Sequence, residues 1–322
     1  MTFRHVACLC ASGLMAFGAA AVNAQTYPDK PVRLIAGDAG GGGDLVARIL
    51  VPGLGASLGQ PVIVENRGGA GGIIAAQALV KATPDGHTVL LYGNGLWLLP
   101  LLRADVPFDP VRDFAPITLA TRSPNILVVH PSLQVKSVKE LIALAKAKPG
   151  TLNYATSGSG ASDHLAAELF KSMAAIDTVR VNFKGTAGAV TGVVGGGVQM
   201  AFPSAGSALP HIRAGRLRAL AVTTAQASAI APDVPTIAAT GLPGYEAGQA
   251  LAVLAPAKTP SAIVNRLNQD LVRVLGSAEV REKFLTIGVE SIGTSVQELT
   301  GIIKSDMSVW GKVIKEAGIR DN

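Results

Sequence analysis

Beyond its first two dozen residues the chain has no cysteine, since Cys8 and Cys10 both fall near the start. That excludes disulfide staples, a cysteine nucleophile and thiolate metal sites from the body of the protein. At roughly 300 residues the body needs no staples, because that length buries large cores and suggests about two domains. Aromatics are only 4% of residues, too few to stack bases along a basic groove. Acidic residues number 22 against 28 Lys plus Arg, yet the positive excess is spread along the chain. Lys136, Lys139, Lys146 and Lys148 share one predicted helix and read as a solvated face. No nucleic-acid partner is expected. After Val22 no run of ~18 apolar residues recurs, so no further membrane-spanning helix is expected.

Enzyme signatures are missing too. The first glycine-rich loop fails the G-x-G-x-x-G spacing, and the second has Gly158 and Gly160 but Asp163 where the third glycine belongs. No Gly-Lys-Ser/Thr follows a glycine loop. No serine sits in G-x-S-x-G: Ser159 has Ser157 two residues before it, and Ser204 has Phe202. His87, His130, His164 and His211 lack zinc-ligand spacing. No catalysis, cofactor or metal is expected.

What is present begins with an export signal. Arg4 precedes an almost unbroken apolar and small-residue run from Val6 to Val22, and Val22-Asn23-Ala24 places small residues before Gln25. This predicts a signal peptide over residues 1–24, cleaved near Ala24–Gln25, and a soluble exported protein.

The rest alternates short β-type runs with helical patterns. Val32–Ala36, Val62–Val64 and Thr88–Tyr92 read as strands, separated by helices from Leu45 to Leu58 and from about Gly72 to Lys81. Pro52 and Gly53 are expected to kink or shorten the first helix. The β-α-β-α-β order predicts a parallel sheet covered by helices. The same logic restarts near Ile126, with strands at Ile126–Val129, Asn153–Ala155, Val179–Phe183, Val198–Phe202 and Leu217–Val222. Ser137 with Glu140 and Ser295 with Glu298 form capping boxes, and Ser261 is expected to cap a helix carrying Ile263, Leu267, Leu271 and Val274. Helices after Leu254 need a sheet to cover and are assigned to the first half. The fold class is therefore α/β with two lobes: residues 25–121 plus 249–322, and residues 122–248. Crossings near 118–126 and 243–251 would make a hinge.

Two loops carry the binding chemistry. Gly37-Asp38-Ala39-Gly40-Gly41-Gly42-Gly43-Asp44 joins the first strand to the first helix. Ser157-Gly158-Ser159-Gly160-Ala161-Ser162 occupies the equivalent place in the second half, with His164 opening the next helix. Glycines let backbone approach a ligand, helix N-termini aim N–H groups at it, and such loops lie at the sheet edge where ligands bind. Donors at both ends suit a carboxylate. Asp44 is expected to cap its helix, and Asp38 to contact ligand or loop. In the third loop, Glu65, Asn66 and Arg67 read as ties to neighbouring loops.

The ordered motifs go further. Tyr27-Pro28-Asp29-Lys30-Pro31-Val32-Arg33, Gly59-Gln60-Pro61-Val62-Ile63-Val64-Glu65-Asn66-Arg67, Pro84-Asp85-Gly86-His87-Thr88 and Phe108-Asp109-Pro110-Val111-Arg112-Asp113-Phe114 mark the first half. Asn153-Tyr154-Ala155-Thr156-Ser157-Gly158-Ser159-Gly160, His164-Leu165-Ala166-Ala167-Glu168-Leu169-Phe170, Ala214-Gly215-Arg216-Leu217-Arg218 and Ala255-Pro256-Ala257-Lys258-Thr259-Pro260 mark the rest. In this order they closely resemble the Bug-type receptors of tripartite tricarboxylate transporters, over essentially the whole mature chain. The resemblance implies a two-lobe periplasmic binding protein (type II). It would capture a small organic ligand, often a carboxylate, by hinge closure and act as a monomer. Its partner would be the membrane components of a transporter, or alternatively a sensor kinase. It implies further contacts at Asn94, Lys184, Gly185 and Ser204. The chain departs from the family's pattern at Ala36-Gly37, where Pro-Phe is usual, at Asp38, at Gly42-Gly43, at Ala161 and at Ala250, where a tryptophan is common. Those departures predict a reshaped cleft. Asp38 disfavours an anion beside it unless turned away or paired, so the ligand is expected to be bulkier than a simple dicarboxylate or to carry a cationic or donor group.

Overall fold

The computed structural model describes residues 27–158, 160–316 and 318–319; the expected signal peptide, Gln25 and Thr26, and Ser159 lie outside the described residues. The chain opens with β1 (Val32–Ala36), α1 (Gly42–Leu58), β2 (Val62–Asn66), α2 (Ile73–Val80), β3 (Thr88–Gly93), α3 (Gly95–Leu102) and β4 (Phe114–Ser123). The second half runs β5 (Ile126–Val129), α4 (Val138–Ala147), β6 (Asn153–Thr156), α5 (Ser162–Ala174), β7 (Val179–Asn182), α6 (Gly185–Val194), β8 (Met200–Ala201), α7 (Ala205–Arg213), β9 (Arg218–Val222) and α8 (Ile237–Thr240). It returns through β10 (Gln249–Pro256), α9 (Ser261–Leu275), α10 (Ala278–Thr286), β11 (Glu290–Ser291) and α11 (Val296–Glu316).

These strands form two sheets, ordered β11-β4-β10-β3-β1-β2 and β7-β6-β8-β5-β9. In the first, β1 lies parallel between β2 and β3, with Val32 opposite Val62 and Arg33 opposite Thr88. The sheet is mixed rather than parallel throughout, because β10 re-enters from the second half and runs antiparallel between β3 and β4. In the second sheet β6 is parallel to β7 and β8, while β5 is antiparallel to β8 and β9. The α/β two-sheet architecture anticipated from the alternation is thus the observed one.

The two chain crossings run side by side. Gln249 of β10 pairs with Ser123 of β4, and both crossings reach Thr223: Asn125 N–H donates to its hydroxyl at 2.9 Å and Ala247 N–H to its carbonyl at 2.9 Å. Nearby, the buried Tyr245 hydroxyl donates to the Ala166 carbonyl of α5 at 2.8 Å.

Helices cover both faces of the first sheet. On one face Val46, Leu50 and Leu54 of α1 meet Leu267, Leu271 and Val274 of α9. On the other, Leu79, Trp97, Leu99 and Ile303 bring in α2, α3 and α11, and the same apolar core continues to Tyr154, Phe170 and Phe202 of the second half. Each such buried side chain contributes about 1.5–3 kcal/mol. That burial explains why α1 runs through Pro52 to Leu58 without being shortened: its apolar stripe offsets a proline cost of ~3 kcal/mol. The box at Ser295 is reciprocal, with Ser295 N–H donating to Glu298 and Glu298 N–H to the Ser295 hydroxyl. Ser261, by contrast, does not cap α9: Pro260 takes the cap position and Ser261 is already helical. The all-apolar α3 escapes sequence patterning, since Gly95–Leu102 shows no polar face.

Candidate functional site

Both glycine loops follow the carboxyl ends of strands, β1 and β6, and open helices α1 and α5. Gly40 takes a left-handed φ of 75°, and Gly41 N–H closes the turn on the Asp38 carbonyl at 3.0 Å. Gly41, not Asp44, is the cap residue of α1. Asp44 sits in the first helical turn and reaches back, accepting from Gly40 N–H at 2.8 Å and from Asn66 Nδ2 at 2.9 Å, with Arg48 Nε 3.0 Å away. The Arg48 guanidinium, ahead of the loop N–H and Asn66, lowers the Asp44 carboxyl to about 2. Asn66 also donates to the Gly37 carbonyl at 3.0 Å, so the third loop braces the first, as its residues suggested. Asp44 is buried and organises the loop.

The second loop repeats the device. Asp163, in the first turn of α5, accepts from Ser157 N–H at 2.6 Å, from the Ser157 hydroxyl at 2.9 Å and from His164 N–H at 2.8 Å. Burial pushes its carboxyl up to about 6, outweighing those bonds. His164 is enclosed, 1% exposed; its Nδ1 accepts from Gly160 N–H at 3.1 Å and its Nε2 lies 2.7 Å from the Arg180 guanidinium. Ala161 caps α5 without a side-chain bond.

Around them, Gly185 N–H lies 3.3 Å from the Ser157 carbonyl, bringing Lys184 and Gly185 to the second loop, both exposed. A Cβ on Gly95 would stand 3.1 Å from the Gly160 carbonyl, so the second loop rests on the start of α3. Asn94 is engaged with β10, its amide donating to the Gly248 carbonyl at 3.1 Å and its N–H to the Ala250 carbonyl at 2.9 Å. Ala250 is half-buried on β10, opposite Arg122. Ser162 Oγ accepts weakly from Asn125 at 3.4 Å. Ser204 heads α7 with its hydroxyl 3.1 Å from that of Ser207. The helices α1, α3, α5 and α7 begin without a side-chain cap, as do α2, α6 and α9, whereas α4, α8 and α10 are capped by Ser137, Thr236 and Ser277. First-turn N–H groups have no intrahelical partner, and such termini favour anions. A separate cavity of about 430 Å³ beside Pro52, Gly55 and Gln60 shares no residue with either loop.

Residues 46–319 match the tripartite tricarboxylate transporter family receptor. The chain belongs to that receptor family. It is 36% identical to protein BugT of Bordetella pertussis, over 94% of each chain. An R. palustris protein solved with adipate is 35% identical and superposes with a TM-score of 0.83, over 91% of this chain and 99% of that one. MatC from Rhodopseudomonas palustris, solved with bound malate, is 29% identical with a TM-score of 0.79, over 89% and 100%. The receptor is therefore a non-enzymatic solute-binding protein of a periplasmic family.

Two features of this receptor were not anticipated. Asp163 resembled a failed glycine position; its place one turn into a helix after a glycine-serine loop was the signal for its bracing role. Tyr92 was legible only as the end of a strand. It is the penultimate residue of β3, and its ring packs against the first and third loops: a Cβ on Gly72 would stand 2.5 Å from Cε1, and one on Gly37 3.5 Å from Cε2. Burial, then the charge of Asp38, raises its phenol to about 12. Asp38 is exposed, and its carboxylate sits over Gly68, where an added Cβ would stand 1.6 Å from Oδ1.

Proposed function

We propose that this receptor binds a small carboxylate-bearing solute between the loops at residues 37–44 and 157–164. Closure of its two lobes about the crossings near 118–126 and 243–251 would follow. The exported protein, cleaved near Ala24–Gln25, then delivers the solute to the membrane components of a tripartite tricarboxylate transporter.

The observation that carries this reading is the pair of helix starts, α1 and α5, that open directly from glycine-rich loops at the carboxyl ends of β1 and β6. In each loop the nearby acid, Asp44 or Asp163, is turned back to brace the loop. His164 N–H of α5 is taken up by Asp163. The N–H groups of Gly42 and Gly43 in α1 and of Ser162 in α5, which have no partner among the described residues, are the ones open to an anion. Adipate and malate in the two R. palustris structures are of the same chemical class. The ligand stabilises the closed form only through its higher affinity for it.

Thermal unfolding of the purified mature protein against dicarboxylates tests the proposal. A ligand that binds only the native state adds about 2.7 kcal/mol at a hundredfold excess over Kd, so Tm rises with concentration and isothermal titration gives one site. Absence of any shift or heat across C4 to C6 dicarboxylates and their amino and hydroxy derivatives would refute it.

A further inference from the structure

The first loop carries a carboxylate that its own surroundings leave without a counter-ion. Among the described residues no cation pairs with Asp38, although three arginines stand on β1, on α1 and just after β2. Arg48 is committed to Asp44 and Asn66, Arg67 to Glu65, and Arg33 to Glu65 and Thr88. The Tyr92 hydroxyl accepts and donates no hydrogen bond among the described residues; its ring packs against Gly37, the chain neighbour of Asp38, and the charge of Asp38 adds to burial in raising the phenol. Three glycines make room for the two groups. Side chains at Gly68 and Gly72 would displace Asp38 and Tyr92, and Gly37 lets the Tyr92 ring rise against the first loop.

We propose that Asp38 and Tyr92 are specificity-determining residues that receive a protonated amine, so that the preferred ligand is a carboxylate also bearing an ammonium group. The inference rests on the carboxylate reading above and adds its chemical subclass. Uncapped helix starts hold the carboxylate; the Asp38 carboxylate and the phenol oxygen accept from the ammonium. Lobe closure removes water from the pair and strengthens it, because charge-assisted hydrogen bonds gain as the local dielectric falls. A plain dicarboxylate has no donor to offer there and leaves Asp38 facing an anion.

Matched probes separate this from the parent reading. Isothermal titration at pH 7 compares adipate with 2-aminoadipate and glutarate with glutamate. The unmodified receptor is expected to prefer the amino member of a pair by roughly tenfold or more, the size of one charge-assisted hydrogen bond. Asp38→Asn should bring the ratio close to one, and Tyr92→Phe should reduce it a few-fold. Gly68→Ala keeps the Asp38 charge but moves it, and should also lower the ratio. Equal or tighter binding of the des-amino members, or an unchanged ratio in Asp38→Asn, would overturn the pair's role while leaving the carboxylate reading intact. No binding of either member of either pair would sink the carboxylate reading, and this inference with it.

Discussion

The two glycine-rich loops use one construction with opposite electrostatics. In each, an aspartate in the first helical turn reaches back to a loop N–H: Asp44 to Gly40, Asp163 to Ser157. Asp44 has Arg48 within 3.0 Å and is held down to about 2. Asp163 has no ion-pair partner among the described residues and is pushed up to about 6. The same bond geometry therefore yields a permanently charged brace in one half and a brace near its titration point in the other. Position in the fold sets what the side chain does; surroundings set how firmly it holds its charge.

Removing the braces should expose that difference most strongly. Asp44→Ala leaves a loop N–H, Asn66 and Arg48 without their acceptor and should cost about 2–3 kcal/mol in urea denaturation. Asp163→Ala also loses three bonds, but it removes a charge that burial disfavours, so the cost should be smaller, about 1–2 kcal/mol. Equal costs would break the comparison.

Acid titration of stability comes next. Asp163's folded value lies above its unfolded value of about 3.8, so the folded state takes up its proton first. Its contribution grows as pH falls from above 6 towards 4. Asp44's folded value lies below 3.8, so its contribution is present above that pH and disappears as pH falls towards 2. Stability against pH should be flattened between 7 and 4 by Asp163→Asn, and the loss below 4 reduced by Asp44→Asn. A curve left unchanged by Asp163→Asn in the first window would show that the brace is not near titration.

Arg48→Ala makes the first loop resemble the second. Its guanidinium is more than half exposed, so the stability cost should stay under about 1 kcal/mol, while the acid limb moves to higher pH. An effect of the same small size is expected for Ser157→Ala, which removes one of Asp163's three donors at a cost of about 0.5–1 kcal/mol, readable as a small midpoint shift.

Local patterning made much of this legible. The strand–loop–helix units at Val32–Leu58 and Asn153–Ala174 follow from short apolar runs punctuated by glycine, because glycine interrupts strand and helix patterns and permits the left-handed φ that a tight turn needs. The tie from Asn66 was legible for the same reason, since a polar triplet just after a strand must satisfy its neighbours. Gly95–Leu102 was not, because a helix buried on all sides has no periodicity to read. Nor was the true cap of α9, which falls on Pro260 and not on Ser261 as the pattern suggested.

By itself the sequence determined the α/β class, the two glycine loops at strand ends and the membership of a receptor family, since each depends on local order along the chain. Only the tertiary structure decided that β10 returns between β3 and β4, that Asp44 and Asp163 brace loops instead of capping helices, and that Tyr92 packs against the first and third loops. These depend on partners far apart in sequence, such as Arg122 opposite Ala250 and Gly72 against Tyr92, whose proximity no local pattern encodes.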